Sequence, residues 1–328
     1  MKLGWGIVST GRASDALVGP AVNAESNSHI VAVYSREKDR GDAYAAKHGA
    51  AHAYTSYEDM LNDSSVNVVY IASPNAMHAE QVVQAVQAGK HVFCEKPLGL
   101  SVKEARMATD AARKAGRKLG VDFQTRHYAP NEEALRLIRE GAIGDIMVMQ
   151  IESCAAGNPL KGWRTDPKLA GMGSVNNIAV HPLDLARYFA NSEASEVVAM
   201  TDVGKSEALE TISLILVRFE SGALAYINGS QKTPNPRADM EIYGSAGRIS
   251  GRNTTRPFLD SELRVLSGGE EKTIPFNTKD GFQRAVAAFN AAVIEDTEPN
   301  PSGEDGVNSV ELVEAITRSA RTGSVVKL

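Results

Sequence analysis

The sequence predicts an α/β fold in two parts: an N-terminal Rossmann dinucleotide-binding domain with a parallel sheet, and a C-terminal α+β domain with a large, mostly antiparallel sheet. Three observations support this. The chain has 328 residues, about twice the usual domain length of roughly 150. Short apolar runs alternate with helix-like segments as far as Asp122, which is typical of parallel sheets. Beyond Asp122, strands follow one another through short turns, which is typical of antiparallel sheets.

The first predicted domain, residues 1–122, repeats a strand–helix unit. The predicted strands are residues 4–8, 29–35, 67–73, 90–94 and 118–122. The predicted helices between them are residues 13–24, 38–48, 79–88 and 102–115. The run Val68–Ile71 is apolar at every position, as expected for a strand that is covered on both faces of its sheet.

The second predicted domain, residues 123–328, is rich in strands. After a helix at 131–140, strands are predicted at 146–152, 196–201, 211–219, 223–228, 238–243, 262–266 and 272–275. Two helices, 281–295 and 306–321, close the chain. Gly222, in the turn between two of these strands, supplies the positive φ that a tight hairpin needs. We expect a homo-oligomer through this sheet, because an open sheet face is commonly covered by self-association.

The composition excludes several classes of protein. With 35 basic and 40 acidic residues the formal net charge is −5, which argues against a nucleic-acid or membrane-surface partner. No apolar run approaches the roughly 18 residues of a membrane span, and no signal peptide is evident. Two cysteines, Cys94 and Cys154, are too few for a disulfide framework. We therefore expect a cytoplasmic protein, with no metal centre.

The loop after the first strand is the first candidate binding site. Five consecutive residues are candidates for cofactor contact: Ser9, Thr10, Gly11, Arg12 and Ala13. A dinucleotide fingerprint has glycine at three positions, and here only the middle glycine is present, in the pattern Ser9-x-Gly11-x-x-Ser14. An ordinary strand-to-helix turn is the alternative, but the surrounding strand–helix alternation favours nucleotide binding.

The end of the second predicted strand indicates which nucleotide binds. An NAD site typically has an acidic residue here, whereas this chain has Ser35 and Arg36, followed by Arg40. A hydroxyl and two guanidinium groups suit a 2′-phosphate, which predicts a preference for NADP(H) and leaves NAD(H) open. Glu37 and Asp39 are evidence against this interpretation, and a solvated charged loop is the alternative.

Three further segments carry polar residues of catalytic type. Ser73, Asn75 and His78 follow the third predicted strand, and Glu95 with Lys96 follows the fourth. The carboxyl ends of such strands line the ligand crevice of an open α/β sheet. The third segment, residues 171–184, contains Asn177, His181 and Asp184. The alternative for Lys96 is a solvated loop lysine. The alternatives for His181 and Asp184 are a hydrogen bond at a helix start or a metal site.

These motifs together resemble the Gfo/Idh/MocA family of oxidoreductases over nearly the whole chain. The resemblance rests on Trp5-Gly6-Ile7, Ser73-Pro74-Asn75 with His78, Glu95-Lys96-Pro97, Trp163-Arg164, the Gly-rich segment ending in His181-x-x-Asp184, and Gly303-Glu304-Asp305-Gly306. It implies a Rossmann domain, a sheet domain and a substrate bound between them. Within the family, the pattern is most similar to members that reduce 1,5-anhydrofructose with NADPH.

The resemblance also implies roles for individual residues. Lys96 matches the catalytic lysine of the family and His181 its catalytic histidine, while Asn177 stands where many members carry aspartate. A lysine can polarise a carbonyl and stabilise negative charge on its oxygen, and a histidine can donate the proton. The cofactor contacts are expected to include Ser73, Asn75, His78, Glu95 and Lys96. The expected substrate contacts are Arg126, His127, Trp163, Arg164, Asn177 and His181, with packing for Trp163 and an interdomain ion pair for Arg126 as alternatives.

The sequence thus predicts an NADP(H)-dependent oxidoreductase that reduces a sugar-derived carbonyl, such as 1,5-anhydrofructose or a related ketose. An NADP-linked sugar or inositol dehydrogenase working in the oxidative direction is one alternative. A non-enzymatic nucleotide-binding sensor is the other, favoured by Asn177 and by the sparse glycines of the first loop. The expected partner is a small carbohydrate.

Overall fold

The computed structural model describes residues 2–157, 160–206, 208–277 and 279–328. The chain forms two compact units. Unit 1 comprises Met1–Asp122 and Phe282–Val310, and unit 2 comprises Phe123–Gly281 and Glu311–Leu328. The predicted division into 1–122 and 123–328 differs from these units in residues 282–310. This segment belongs to unit 1 because Phe282, Val286 and Phe289 are part of its buried core.

Unit 1 is built on a six-stranded parallel sheet with the order β3-β2-β1-β4-β5-β6. The strands are β1 (Leu3–Val8), β2 (Ser28–Tyr34), β3 (His52–Tyr54), β4 (Val68–Ile71), β5 (His91–Cys94) and β6 (Leu119–Val121). Every residue of β1 and β4 is buried, because helices cover both faces of such a sheet. The order reverses between β1 and β4, the position at which doubly wound sheets bind ligands.

Some helices of unit 1 begin or end at residues that favour helix termini. They are α1 (Gly19–Ala24), α2 (Lys38–His48), α3 (Tyr57–Asn62), α4 (His78–Gln87), α5 (Val102–Ala115), α9 (Gly281–Ile294) and the start of α10 (Gly303–Thr322). The Ser101 hydroxyl accepts from the backbone N–H of Glu104 and caps α5. Gly49 and Gly116 end α2 and α5 in the left-handed conformation, which glycine adopts at little cost.

Unit 2 is built on a nine-stranded sheet with the order β14-β13-β12-β11-β7-β10-β9-β8-β15. The strands are β7 (Ile146–Glu152), β8 (Ala194–Thr201), β9 (Ser213–Phe219), β10 (Leu224–Asn228), β11 (Met240–Gly244), β12 (Gly247–Arg252), β13 (Ser261–Ser267), β14 (Glu270–Phe276) and β15 (Val326–Lys327). Strands β7 and β10 pair in parallel, and the other neighbouring pairs are antiparallel. The predicted mostly antiparallel sheet is therefore confirmed.

The two faces of this sheet differ in their surroundings. The inner face packs in one core with the helices α6 (Ala129–Arg139), α8 (Val180–Ala190) and the end of α10. In β9, Ile215 and Val217 point into this core while Leu214 and Leu216 are exposed. We call the exposed residues Met200, Leu214, Leu216, Leu224 and Tyr243 the outer apolar patch. The strand register opposes Leu214 to Met200 and Leu216 to Tyr226, so these side chains share the outer face.

A few elements differ from the predicted ones. Strands β3, β12 and β15 and helices α3 and α7 (Pro167–Ala170) were not predicted, and of helix α8 only a start near His181 was considered. The predicted helix 13–24 consists of a π-helical segment, Ala13–Val18, followed by α1. The predicted fold class is nevertheless confirmed, since the parallel and the mostly antiparallel sheets are both present.

Candidate active site

The carboxyl ends of four parallel strands meet at one edge of unit 1. The backbone N–H of Ser9, after β1, donates to Tyr34 O at 3.1 Å, at the end of β2. On the other side of β1, the N–H of Ala72 donates to Val8 O at 3.2 Å. The N–H of Glu95 donates to Ile71 O at 2.9 Å. The structure thus brings together the predicted loops after β1, β2, β4 and β5.

The loop after β1 has the tight turn that a dinucleotide site needs. Ser9, at the first fingerprint position, has φ 86°, a conformation that costs about 1 kcal/mol for a residue other than glycine. Its hydroxyl accepts from the N–H of Gly11 at 3.3 Å, which compensates part of this cost. Thr10, Arg12 and Ala13 complete the turn into the π-helical segment. The free N–H groups of a first helical turn are suited to bind a phosphate.

The loop after β2 presents a cation to solvent. Ser35 is buried, and its hydroxyl accepts from the N–H of Glu37 at 3.3 Å. Arg40 approaches the Glu37 carboxylate at 3.5 Å, with both side chains exposed, a geometry that contributes little to stability. Arg36 is exposed, and none of the residues that the structure describes forms an ion pair with it.

His78 connects the loop after β4 to the loop after β5. Its Nδ1 lies 2.7 Å from Pro97 O and its Nε2 lies 2.9 Å from Ser73 O, with the ring buried. Burial lowers the pKa of His78, although the two carbonyl contacts oppose this shift. Both ring nitrogens therefore contact the protein itself, and the ring fixes the two loops to each other.

The loop after β5 contains the predicted catalytic lysine. The peptide bond between Lys96 and Pro97 is cis, and Lys96 is half-buried. The Tyr70 hydroxyl donates to Glu95 Oε1 at 2.9 Å. Burial and the neighbouring Glu95 carboxylate raise the pKa of Tyr70 well above its usual value, so the hydroxyl remains a donor. Asn75 is also a predicted cofactor contact, and it is buried at the end of the loop that contains Ser73.

The predicted catalytic residues of unit 2 lie on one continuous helical stretch. Asn177 lies in a π-helical segment, Val175–Ala179, and His181 lies in the first turn of α8. Four residues apart, the two side chains share one side of the helix. The His181 ring meets the Phe123 ring edge-on, with 6.5 Å between centroids.

A buried carboxylate fixes the start of this helical stretch. Glu210 accepts from the N–H of Gly173 at 2.9 Å and from the N–H of Val175 at 2.8 Å. A negative charge is favourable at a helix N-terminus. Burial raises the pKa of Glu210, and the two N–H donors oppose this shift. A Cβ on Gly173 would lie 2.1 Å from Glu210 O, so only glycine fits there.

A buried ion pair fixes the body of α8. Arg126 Nε and Nη2 donate to the two carboxylate oxygens of Asp184 at 2.7 and 2.6 Å, and the side chains are 3% and 0% exposed. The guanidinium also stacks on the Tyr188 ring, 4.5 Å from its centroid. Asp184 lies in the same unit as Arg126, so the interdomain ion pair stays a prediction. A substrate contact of Arg126 stays a prediction.

The other predicted substrate contacts lie on two separate loops. His127 Nδ1 lies 3.6 Å from Glu132 Oε1. The Arg164 guanidinium stacks on the Trp163 ring, 4.3 Å from its centroid, in the short helix Gly162–Thr165. No group of three or more His, Cys, Asp or Glu side chains in the described ranges is arranged to hold a metal ion. Across those same ranges, no helix is long and apolar enough to cross a membrane.

Sequence reasoning missed two buried residues of this region. One is Glu210, and the other is Gln231, whose Oε1 accepts from Asn177 Nδ2 at 2.6 Å. Glu210 precedes β9 and Gln231 follows β10, and neither residue lies in a recognisable motif. The only signal for either is a polar residue next to an apolar run, which is too common to identify a site.

Two family profiles match the chain. Residues 3–123 match the NAD-binding Rossmann fold of the Gfo/Idh/MocA oxidoreductase family, and residues 131–250 match the C-terminal domain of that family. The chain belongs to the Gfo/Idh/MocA oxidoreductase family. The predicted resemblance is therefore confirmed, and the protein is an oxidoreductase.

Three related proteins resemble this chain along its full length. The 1,5-anhydro-D-fructose reductase of Ensifer adhaerens is 33% identical, with 99% of this chain and 98% of the relative aligned. The NADP⁺-dependent D-xylose 1-dehydrogenase 2 of Haloferax volcanii is 32% identical, with 99% of both chains aligned. The aldose–aldose oxidoreductase of Caulobacter crescentus, solved with glycerol, is 27% identical, has a TM-score of 0.91 and is matched over 100% of both chains. Each of these relatives is an oxidoreductase, as this chain is.

The buried ion pair of α8 generates the first prediction. Because Asp184→Asn removes the carboxylate that pairs with two buried guanidinium groups, those of Arg126 and Arg187, we expect it to lower the free energy of unfolding by about 3–5 kcal/mol. Arg126→Met should also destabilise the protein, whereas the double variant Arg126→Met/Asp184→Leu should recover part of the loss. Urea unfolding measures all three. Additive losses in the double variant would contradict the assigned pairing.

Proposed function

We propose that this oxidoreductase uses NADP(H) to reduce a sugar-derived carbonyl, 1,5-anhydrofructose or a related ketose. The main support is the edge of unit 1 at which the glycine-poor turn follows β1, Arg36 follows β2 and Lys96 follows β5. The similarity to a 1,5-anhydro-D-fructose reductase over 99% of the chain supports the same substrate class. Membership of an oxidoreductase family favours an enzyme over a non-enzymatic sensor.

The residues at this edge fit a phosphorylated dinucleotide. The turn of Ser9 and Gly11 leads into a helix N-terminus that can hold the pyrophosphate. Arg36, exposed and without an ion-pair partner among the described residues, is available for the 2′-phosphate, with Ser35 beside it. The nicotinamide of the bound cofactor supplies the hydride. We propose that Ser73, Asn75 and the Glu95–Lys96 loop hold the nicotinamide.

Lys96 and His181 perform the remaining chemistry in this proposal. As the hydride adds to the carbonyl carbon, the electron pair of the C=O π bond moves to the oxygen. The Lys96 ammonium stabilises the developing negative charge, and His181 transfers its proton to the oxygen to complete the alcohol. Pro97 and His78 would hold the loop of Lys96, and Arg126 would hold helix α8, which carries His181. The lysine and the histidine would thus be oriented before the reaction.

Lys96 and His181 are tested by substitution. We expect Lys96→Met and His181→Ala to lower kcat with NADPH and 1,5-anhydro-D-fructose by about 100- to 10,000-fold, because each removes a group that acts in the transition state. The Kd of NADPH, measured by quenching of protein fluorescence, should change by less than about threefold, since neither side chain is needed for most phosphate contacts. Exposed Lys103→Met and His52→Ala are the matched controls. Near-normal kcat in either variant would remove that residue from the mechanism.

The cofactor preference is tested at Arg36. Loss of one charge-assisted hydrogen bond corresponds to about 10- to 100-fold in affinity, so Arg36→Ala should raise the KM for NADPH by that factor. The KM for NADH should stay within about twofold. Lys38→Ala, an exposed cation two residues further on, is the control. An equal rise for both cofactors, or a wild type that prefers NADH, would contradict the NADP(H) proposal.

The oxidative direction is the second candidate. It is supported by the 32% identity to an NADP⁺-dependent D-xylose 1-dehydrogenase, and the same residues serve both directions because proton and hydride transfer are reversible. Turnover of aldoses or inositols with NADP⁺, faster than reduction of any ketose with NADPH, would favour it.

Both cysteines, Cys94 and Cys154, are free and buried thiols, which supports a reducing, cytoplasmic location for either reaction.

We propose that the outer apolar patch pairs with a second copy of the chain. Leu216 and Met200 are 53% and 74% exposed on a continuous sheet face, and exposed apolar patches of this kind mark interaction sites. Beside the patch, Arg248 lies between Glu241 and Glu271 at 4.0 and 3.9 Å. Such mixed charges are self-complementary, as an interface with two-fold symmetry requires.

Charge in the patch should abolish this association. We expect the wild type to sediment as a dimer or larger species, and Leu216→Glu to sediment as a monomer, because the substitution would bury an unpaired carboxylate. Glu220→Lys, in the exposed turn after β9, is the control and should sediment as the wild type does. A monomeric wild type would refute the proposal.

A further inference from the structure

The Tyr70 side chain carries a hydroxyl group into the core of unit 1. Every residue of β4 is buried, and Tyr70 is the one residue of this strand with a polar group in its side chain. Its ring packs against the Phe93 ring, with 6.0 Å between centroids, a contact that phenylalanine would also make. The hydroxyl donates to Glu95 Oε1 at 2.9 Å. Because a buried hydroxyl needs a partner, the contact with Glu95 is what distinguishes tyrosine from phenylalanine here.

The surroundings of Tyr70 keep its hydroxyl a donor. Burial is the main cause that raises the pKa of Tyr70 well above its usual value, and the negative charges of Glu95 and Asp122 add to this effect. The neighbouring Cys94 thiol is buried as well, and burial with the same two carboxylates raises its pKa. The Tyr70 hydroxyl therefore carries its proton throughout the neutral range, and it fixes one carboxylate oxygen of Glu95.

Glu95 is held at two points and open at a third. Its backbone N–H donates to Ile71 O at 2.9 Å, which joins the residue to β4, and Tyr70 holds Oε1. The second carboxylate oxygen, Oε2, accepts a hydrogen bond from no residue in the described ranges. Oε2 is not one of the enclosed polar atoms that lack a partner, and the residue is half-buried. It is therefore an oriented acceptor that a ligand can reach.

The order of the strands decides which half of a dinucleotide lies near Glu95. The phosphate-binding turn follows β1, and the candidate 2′-phosphate contacts follow β2, on one side of β1. Strand β4 lies on the other side, and β5, which Glu95 follows, lies beyond β4. Neighbouring strands are about 4.8 Å apart, so β5 is displaced from β1 by about 10 Å, away from β2. A dinucleotide whose pyrophosphate lies at the turn and whose adenosine lies at β2 therefore extends its nicotinamide half toward Glu95.

We propose that Tyr70 is a positioning residue, which holds the Glu95 carboxylate so that its open oxygen accepts a hydrogen bond from the nicotinamide half of the cofactor. An ionised carboxylate only accepts, and this half carries donors of two kinds, the ribose hydroxyls and the carboxamide N–H groups. This role rests on the proposed cofactor contact of Glu95 and extends it to a residue that touches neither cofactor nor substrate. Tyr70 takes no part in hydride or proton transfer.

Removal of the Tyr70 hydroxyl tests this role in the whole protein without substrate. Tyr70→Phe keeps the ring, and we expect it to raise the Kd of NADPH by about 3- to 10-fold, the factor for one lost hydrogen bond. The Kd of adenosine 2′,5′-bisphosphate, which lacks the nicotinamide half, should stay within about twofold. Calorimetric titration measures both. Tyr54→Phe is the matched control, because the Tyr54 hydroxyl donates to the Asp63 carboxylate at 3.1 Å, and it should bind both ligands as the wild type does.

Two results would overturn the role of Tyr70. An unchanged Kd of NADPH in Tyr70→Phe shows that the hydroxyl is not needed. An equal rise for NADPH and adenosine 2′,5′-bisphosphate shows a general loss of structure. A third ligand, 2′-phospho-ADP-ribose, keeps the ribose and lacks the nicotinamide, so Tyr70→Phe should weaken its binding only where the ribose is the donor.

An amide at position 95 shows whether Tyr70 fixes the orientation. The amide oxygen of Glu95→Gln must face the Tyr70 hydroxyl, so its NH2 group takes the place of Oε2 and opposes the donors of the cofactor. We expect Glu95→Gln to raise the Kd of NADPH by about 10- to 100-fold in the wild-type background, and by about 3- to 10-fold in Tyr70→Phe, where the amide can turn over. Equal factors in the two backgrounds would overturn the proposal.

A comparison that leaves the core intact covers the case in which Tyr70→Phe does not fold. Both variants, Glu95→Gln and Glu95→Ala, change only a half-buried side chain. If Tyr70 fixes the amide, Glu95→Gln binds NADPH no more tightly than Glu95→Ala, because its oxygen is occupied. Tighter binding by Glu95→Gln would show an amide that is free to turn, and would overturn the positioning role.

Binding is measured without a carbonyl, so the role of Tyr70 and the proposed reduction fail separately. The expected Kd values without turnover of any carbonyl overturn the proposed reduction alone, whereas an unchanged Kd in Tyr70→Phe with normal turnover overturns the role of Tyr70 alone. A wild type that prefers NADH overturns the NADP(H) preference, and the same variants are then titrated with NADH and with ADP. A wild type that binds neither dinucleotide overturns both.

Discussion

The buried ion pair between Arg126 and Asp184 is the interaction on which the geometry of unit 2 depends. Two charges that are almost entirely withdrawn from water are tolerated only when each compensates the other with good hydrogen-bond geometry. Asp184 lies three residues after His181 in α8, so the pair fixes the helix that carries the proposed proton donor. Glu210 fixes the start of the same helical stretch at Gly173 and Val175. A histidine on a helix held at two points is oriented before substrate arrives, which is the condition for efficient proton transfer.

Carboxylates hold this helical stretch at two points, near Gly173 and at Asp184, whereas Asn177 between them forms a neutral amide pair. Asn177 and Gln231 satisfy each other through amide groups, which bury no net charge and so require no counter-ion. The polarity of an amide depends on its orientation, and the orientation depends on the neighbour. The helical stretch therefore has a neutral hydrogen bond at Asn177, between two contacts that carboxylates make.

The sequence predicted those parts of the fold and site that depend on local patterns. The strand–helix alternation was sufficient for the parallel sheet, because its apolar strands must be covered on both faces. Strand β3 was missed because its first two residues, His52 and Ala53, are exposed at the sheet edge, and β12 because Gly247 and Gly251 interrupt its pattern. For Arg126, the sequence left a substrate contact and an interdomain ion pair as alternatives. The pair with Asp184 was not predicted, because Asp184 is 58 residues away in the chain and adjacent only in the fold.

The same limit explains why the sequence predicts candidate catalytic residues but not the residues that contact the helix of His181. Lys96 and His181 each lie in a short motif whose chemistry can be recognised from neighbouring residues. Gln231 is 54 residues from Asn177, and Glu210 is 37 from Gly173, so no spacing rule connects them. The proposed catalytic residues can therefore be recognised locally, at the ends of strands and helices, whereas the contacts that hold the helix of His181 form only when the chain folds.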